Sequence, residues 1–202
     1  MQFGATGDVP VSGDWDGDGK ADLAVYREGV AGGQSNFYYR PSSQPGVNFL
    51  AIAWGGAGDK PLVGDFDGDG KLDAAVFRPS TAIWYILRSS NNQVIQTNFG
   101  ASTDIPVPAD YDGDGQANIA VFRPSSGTWF TSTNPQTNYG AIQFGANGDV
   151  PVPADYDGDG KADVAVFRPS NGAWYLNRST QGFTGVSFGS AEDKSVPNAY
   201  IR

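Results

Sequence analysis

Four stretches of the chain place oxygen-bearing side chains at alternate positions: DWDGDGKAD from Asp14, DFDGDGKLD from Asp65, DYDGDGQAN from Asp110 and DYDGDGKAD from Asp155. Counting from the first residue of each stretch, positions 1, 3 and 5 are always Asp, and position 9 is Asp in all but the third. That spacing turns three carboxylates to one side of a tight loop, and the Gly residues at positions 4 and 6 allow the curl. The carbonyl at position 7 can add a further oxygen. Hard oxygen donors on a flexible loop, without nitrogen or sulfur, select Ca²⁺ over Zn²⁺ or Cu²⁺, and Mg²⁺ demands a stricter octahedron. The candidate ligands are Asp14, Asp16, Asp18, Lys20 and Asp22 in loop 1, and Asp65, Asp67, Asp69, Lys71 and Asp73 in loop 2. They are Asp110, Asp112, Asp114, Gln116 and Asn118 in loop 3, and Asp155, Asp157, Asp159, Lys161 and Asp163 in loop 4. The Lys and Gln residues would act through their backbone carbonyls. Asn118 keeps an oxygen but loses a charge, so loop 3 is expected to bind most weakly.

The loops are not those of a helix–loop–helix calcium hand, which needs a bidentate Glu at position 12. Here position 12 is Val25, Val76, Val121 and Val166, which suits a buried strand. Without a counter-ion, carboxylates this close would repel one another strongly. Of the 22 acidic residues, 15 lie in the loops, and five more (Asp8, Asp59, Asp104, Asp149, Asp193) recur at one fixed upstream offset. Four divalent ions would take the net charge from −9 to about −1.

The same composition excludes much else. With no His and no Cys, the chain lacks the commonest general base, thiolate chemistry and disulfides. Paired-carboxylate catalysis is disfavoured because the clustered Asp residues are committed to metal. GDGKA is no phosphate loop, since Ala21 stands where Ser or Thr would be needed. We therefore expect no enzyme. The negative charge argues against nucleic acid as partner, and no apolar run reaches the ~18 residues of a membrane span. The opening MQFGATGDVP shows no basic segment followed by an apolar one. It begins inside a repeat, so the chain is expected to be part of a longer protein.

What must position the loops is a repeat. The loop starts are spaced by 51, 45 and 45 residues, and each is preceded by an aromatic-Gly pair: Phe3-Gly4, Trp54-Gly55, Phe99-Gly100 and Phe144-Gly145. A fifth pair, Phe188-Gly189, opens a segment in which Ala199 and Ile201 replace the first two loop Asp residues, so no metal is expected there. After each loop come an apolar run (VAVF in the fourth) and then an aromatic one. Runs of four to eight residues between Gly, Pro, Asn and Ser turns read as strands, and no stretch carries helical periodicity. In the fourth repeat strands are expected near 150–154, 163–168, 173–178 and 184–188. VAVF is apolar on both faces, as in a strand covered on both sides. The expected fold is all-β, with tandem four-stranded antiparallel blades in a β-propeller-like array of about four repeats. The units are about 3–53, 54–98, 99–143 and 144–187, with 188–202 a terminal segment that closes or caps the array. An open string or solenoid of calcium-stapled β modules is the alternative, because five aromatic-Gly segments exceed the four that a closed ring of four blades requires.

The combination of Phe-Gly, DxDGDGxxD and a following apolar strand resembles the FG-GAP/VCBS-type repeat of integrin α-subunit propellers and bacterial surface proteins. The resemblance spans nearly the whole chain and implies that each loop binds Ca²⁺ on a hairpin at a blade rim. Arg78, Arg123 and Arg168 of FRPS, with Trp84, Trp129 and Trp174, could form a sugar- or carboxylate-binding platform. Their regular recurrence fits architecture better, with each Arg stacked on a neighbouring aromatic ring or hydrogen-bonded to loop carbonyls between repeats. The expected function is a non-catalytic, calcium-stabilised structural or adhesion module that works extracellularly or at a cell surface. Its partner would be a protein or glycan there, or a second copy joined head to tail. A lectin-like carbohydrate- or protein-recognition domain of a larger secreted protein is the alternative.

Overall fold

The computed structural model describes residues 3–30, 32–134 and 138–193. It contains sixteen strands in four separate four-stranded antiparallel sheets, each wound in chain order, and among the described residues there is no helix. Sheet 1 comprises β1 (Val9–Pro10), β2 (Leu23–Arg27), β3 (Gln34–Arg40) and β4 (Leu50–Gly56). Sheet 2 comprises β5 (Lys60–Gly64), β6 (Asp73–Arg78), β7 (Ile83–Leu87) and β8 (Val94–Asn98). In sheet 3 these are β9 (Ile105–Pro106), β10 (Ile119–Arg123), β11 (Thr128–Asn134) and β12 (Asn138–Gln143). In sheet 4 they are β13 (Val150–Pro151), β14 (Val164–Arg168), β15 (Ala173–Arg178) and β16 (Gly182–Ser187). These are the tandem propeller-type blades expected from the repeat. In the fourth, the first strand is shorter than its apolar run, because Pro151 and Pro153 cannot donate to a ladder. The Ala154–Asp163 bridge continues the pairing past them.

The chain divides between Asn98 and Phe99 into two compact units, each containing two blades. In the first, one core joins both blades through Trp15, Tyr26, Phe37, Leu72 and Val76. In the second, Phe122, Trp129, Val164 and Val166 do the same. The second strand of each blade is the most buried, since both of its faces are covered. Val164, Ala165, Val166 and Phe167 are all 5% exposed or less. Aromatic pairs face each other across the second and third strands: Tyr26–Phe37, Phe77–Trp84, Phe122–Trp129 and Phe167–Trp174, with centroids 4.8–5.7 Å apart. Burying each large ring contributes about 1.5–3 kcal/mol, and the tilted pairing adds to this.

The Gly of each aromatic-Gly pair lies directly over the position-12 Val. A Cβ on Gly55, Gly100 or Gly145 would stand 2.9–3.1 Å from Val76, Val121 or Val166 Cγ1, and all three glycines have φ near +90° to +107°. Val at position 12 is thus a packing surface for the turn above it. Phe188, Gly189 and Asp193 repeat that turn, whereas Ala199 and Ile201 lie outside the described residues.

Candidate metal centre

Each acidic loop joins the first and second strands of its blade and is organised by its own backbone. The position-1 carboxylate accepts the N–H groups of positions 4 and 6: Gly17 and Gly19 on Asp14, Gly68 and Gly70 on Asp65, Gly113 and Gly115 on Asp110, and Gly158 and Gly160 on Asp155, at 2.6–2.9 Å. The position-5 Oδ1 accepts the N–H of position 7 from Lys20, Lys71, Gln116 and Lys161, at 2.8–2.9 Å. These bonds hold the loop in a curl that brings its carboxylates together.

Position 9 opens the next strand and ties the loop to the blade. Asp22, Asp73 and Asp163 are 0–2% exposed. Their Oδ2 accepts the N–H of position 2 (Trp15, Phe66, Tyr156) at 2.8–2.9 Å. Their Oδ1 accepts the N–H of Ser42, Ser89 and Ser179 at 2.6–2.7 Å. Those serines sit in the turn after the third strand, and their hydroxyls donate to position 5: Ser42 to Asp18, Ser89 to Asp69, Ser179 to Asp159. The next hydroxyl donates to position 3: Ser43 to Asp16, Ser90 to Asp67, Thr180 to Asp157. Sequence reasoning missed this second hairpin. Its signal was available in the Ser-Ser or Ser-Thr pair after the aromatic strand.

Carboxylate oxygens in each loop approach within 4.8 Å of one another. The converging triples are Asp14, Asp16 and Asp18 in loop 1 and Asp110, Asp112 and Asp114 in loop 3. In loops 2 and 4 they are Asp65, Asp67 and Asp73, and Asp155, Asp157 and Asp163. A cation fits this donor set on two grounds. Asp67 Oδ1 and Asp157 Oδ1 are buried with no hydrogen-bond partner, an arrangement that costs free energy unless something positive satisfies the oxygen. Burial also pushes the Asp73 carboxyl up to about 6, and the Asp67 carboxylate adds to the rise. Asp22 and Asp163 are raised by the same burial. By contrast, hydrogen bonds from Ser42 and Thr180 lower Asp18 and Asp157.

Loop 3 differs. Asn118 Oδ1 accepts the Tyr111 N–H at 2.7 Å, and its Nδ2 lies 3.4 Å from Asp112 Oδ2. The amide offers Asp112 Oδ2 a long hydrogen bond from within the loop, where the position-3 Oδ2 of loops 2 and 4 accepts a hydroxyl from the neighbouring hairpin.

The opposite end of the second strand carries the upstream aspartates. Arg27, Arg78, Arg123 and Arg168 each fork onto Asp8, Asp59, Asp104 and Asp149 through Nε and Nη2 at 2.7–2.9 Å. The same Asp closes the aromatic-Gly turn by accepting an N–H three residues back. Each guanidinium also covers the ring of Tyr38, Tyr85, Phe130 or Tyr175, 4.6–5.0 Å from the centroid. The Arg27 hydrogen bond lowers the pKa of Asp8. The expected stacking is therefore present, and the fixed spacing of 19 residues between Asp and Arg was the unused clue to the ion pair. Trp84 and Trp129 have no exposed surface, so they offer no platform to a sugar, whereas Trp174 is only half-buried. Glu28 is engaged by the Gly58 N–H at 2.6 Å.

Fold and loops together define a class: tandem four-stranded blades, each with an acidic loop between its first two strands. The FG-GAP-like repeat signature matches residues 65–121 and 110–166, and the FG-GAP repeat signature matches 147–186. These matches cover more than half of the chain, which belongs to the FG-GAP-like repeat family. No curated protein shows significant similarity to it. FG-GAP repeats occur in extracellular and adhesion modules, and their fold is typically non-enzymatic.

Proposed function

We propose that the protein is a non-catalytic structural or adhesion module of the cell exterior, stapled by calcium at its four acidic loops. The observation that carries this reading is the pair of buried, unpartnered oxygens, Asp67 Oδ1 and Asp157 Oδ1, each within a converging carboxylate triple. Position 1, 3, 5 and 9 side chains and the position-7 carbonyls of Lys20, Lys71, Gln116 and Lys161 would hold the ions. A bound divalent cation supplies charge neutralisation and a crosslink between the loop and its blade. Extracellular calcium is abundant enough to fill sites of millimolar affinity. Asp8, Asp59, Asp104 and Asp149 do not stand free for acid–base chemistry, because each is locked by an arginine.

The partner is a protein or glycan at a cell surface, or a second copy of the chain. Self-assembly is supported by the fourth strand of every blade: LAIAWGG, VIQTN, NYGAIQ and GFTGVS contain no charge and no proline, the usual guards against edge pairing. Isothermal titration of chelator-treated protein with CaCl₂ tests the staple. About four ions should bind with release of heat; a flat titration would overturn the reading.

A further inference from the structure

Each compact unit contains two loops, and the loops touch through their own ligand-bearing backbone. In the first unit, the Leu72 N–H, at position 8 of loop 2, donates to the carbonyl of Asp14, at position 1 of loop 1 (2.8 Å). In the second unit, the Ala162 N–H of loop 4 donates to the Asp110 carbonyl of loop 3 (2.6 Å). Beside this bond the lysine at position 7 lays its stem across the Gly at position 4 of the preceding loop. A Cβ on Gly17 would lie 2.8 Å from Lys71 Cε, and one on Gly113 would lie 3.1 Å from Lys161 Cγ.

The clasp falls at the most consequential place in both loops. Asp14 and Asp110 organise the first loop of each pair by accepting its glycine N–H groups. Leu72 and Ala162 lie between the position-7 carbonyl and the position-9 carboxylate of the second loop. We infer that calcium is taken up as two cooperative pairs, loops 1 with 2 and loops 3 with 4, each pair coupled through this backbone bond and lysine stem. The inference rests on the calcium reading above. Fixing the position-1 residue in one loop removes freedom that positions 7–9 of its neighbour would otherwise lose on binding. The second ion then binds at lower entropic cost, and the effect is reciprocal.

Amide NMR of the whole chain tests this loop by loop, because the Gly19 N–H reports on loop 1 and the Gly70 N–H on loop 2 through their bonds to Asp14 and Asp65. Asp67→Ala disables loop 2 without touching the clasp, and should raise the CaCl₂ midpoint read at Gly19 by about fivefold or more. Asp16→Ala should raise the midpoint at Gly70 by the same factor. Lys71→Ala, which removes no proposed ligand atom, should weaken both loops and shrink the mutual effect. Asp157→Ala, read at the Gly115 N–H, repeats the experiment in the second unit. Midpoints within twofold of the parent in the loop-disabling variants would show independent sites and overturn the coupling while leaving the staple intact. Absence of any calcium-dependent shift in the unaltered chain would overturn both.

Discussion

In the first unit Leu72 reaches across to Gly13, where a Cβ would fall on its Cδ1; in the second the same two positions are Ala162 and Ala109. The backbone bond between paired loops is common to both units, but the filling beside it is large against small in one and intermediate against intermediate in the other. Position 9 differs as well, since loop 3 has Asn118 where loop 1 has Asp22. The repeat therefore holds backbone geometry constant and lets side-chain volume and charge vary in compensating ways. The comparison separates what the architecture requires from what each pair of loops has adjusted.

Calcium removal should produce the largest effect. A site at 100 times its dissociation constant contributes about 2.7 kcal/mol, so chelation should lower Tm by more than ~10 °C for units of about 100 residues. Hydrogen exchange should show the greater loss of protection in residues 1–98, whose loops both carry four Asp. An unchanged midpoint in chelator would remove calcium from the account of stability. Next are the anchors at the other end of each blade. Asp104 is fully buried against Arg123, whereas the Asp8–Arg27 pair is the most exposed of the four. Asp104→Ala should cost about 3 kcal/mol by leaving the guanidinium without its fork, and Asp8→Ala about 1 kcal/mol. Equal losses in urea unfolding would contradict the assigned difference in burial.

The Gly13–Leu72 contact makes a smaller and more diagnostic prediction. Gly13→Ala should cost about 1–3 kcal/mol by overpacking against Leu72. In a Leu72→Ala background, which copies the pairing of the second unit, the same substitution should be neutral or stabilising. The sign change in a double-mutant cycle is the test; additive losses would mean that the two positions do not share the space. Ala109→Gly, in the second unit, should cost no more than about 1 kcal/mol.

The sequence made the repeat, the strands and the loops legible because each has a short-range signature: period-two burial, turn glycines, alternate acids. VAVF was readable as a doubly covered strand for the same reason, and Val25, Val76, Val121 and Val166 as buried positions. What was not legible depends on contacts between distant segments. The upstream aspartates were visible as a pattern and the arginines as another, but their pairing requires knowing that the aromatic-Gly turn folds over the end of the second strand. The hydroxyls of Ser42, Ser89 and Ser179 reach their carboxylates across a neighbouring hairpin, twenty or more residues away. The clasp between loops is a backbone bond, which leaves almost no trace in residue type apart from the lysine at position 7 and the glycine at position 4.

Asn118 provides the finest test of the difference between the units, because its effect should reverse with conditions. Asn118→Asp would give loop 3 the charge that the other loops carry. It would also replace the Nδ2 donor beside Asp112 with a second carboxylate oxygen. In chelator this adds like-charge repulsion at a position that is 7% exposed, and the variant should be less stable by about 1 kcal/mol. In millimolar calcium the added charge should tighten binding at loop 3 by about tenfold, worth about 1.4 kcal/mol, and the variant should match or exceed the parent. Thermal melts of both proteins in the two conditions should therefore cross. If the variant were destabilised equally in both, Asn118 would have to be assigned to packing against Tyr111, and the lower charge of loop 3 would carry no weight in calcium affinity.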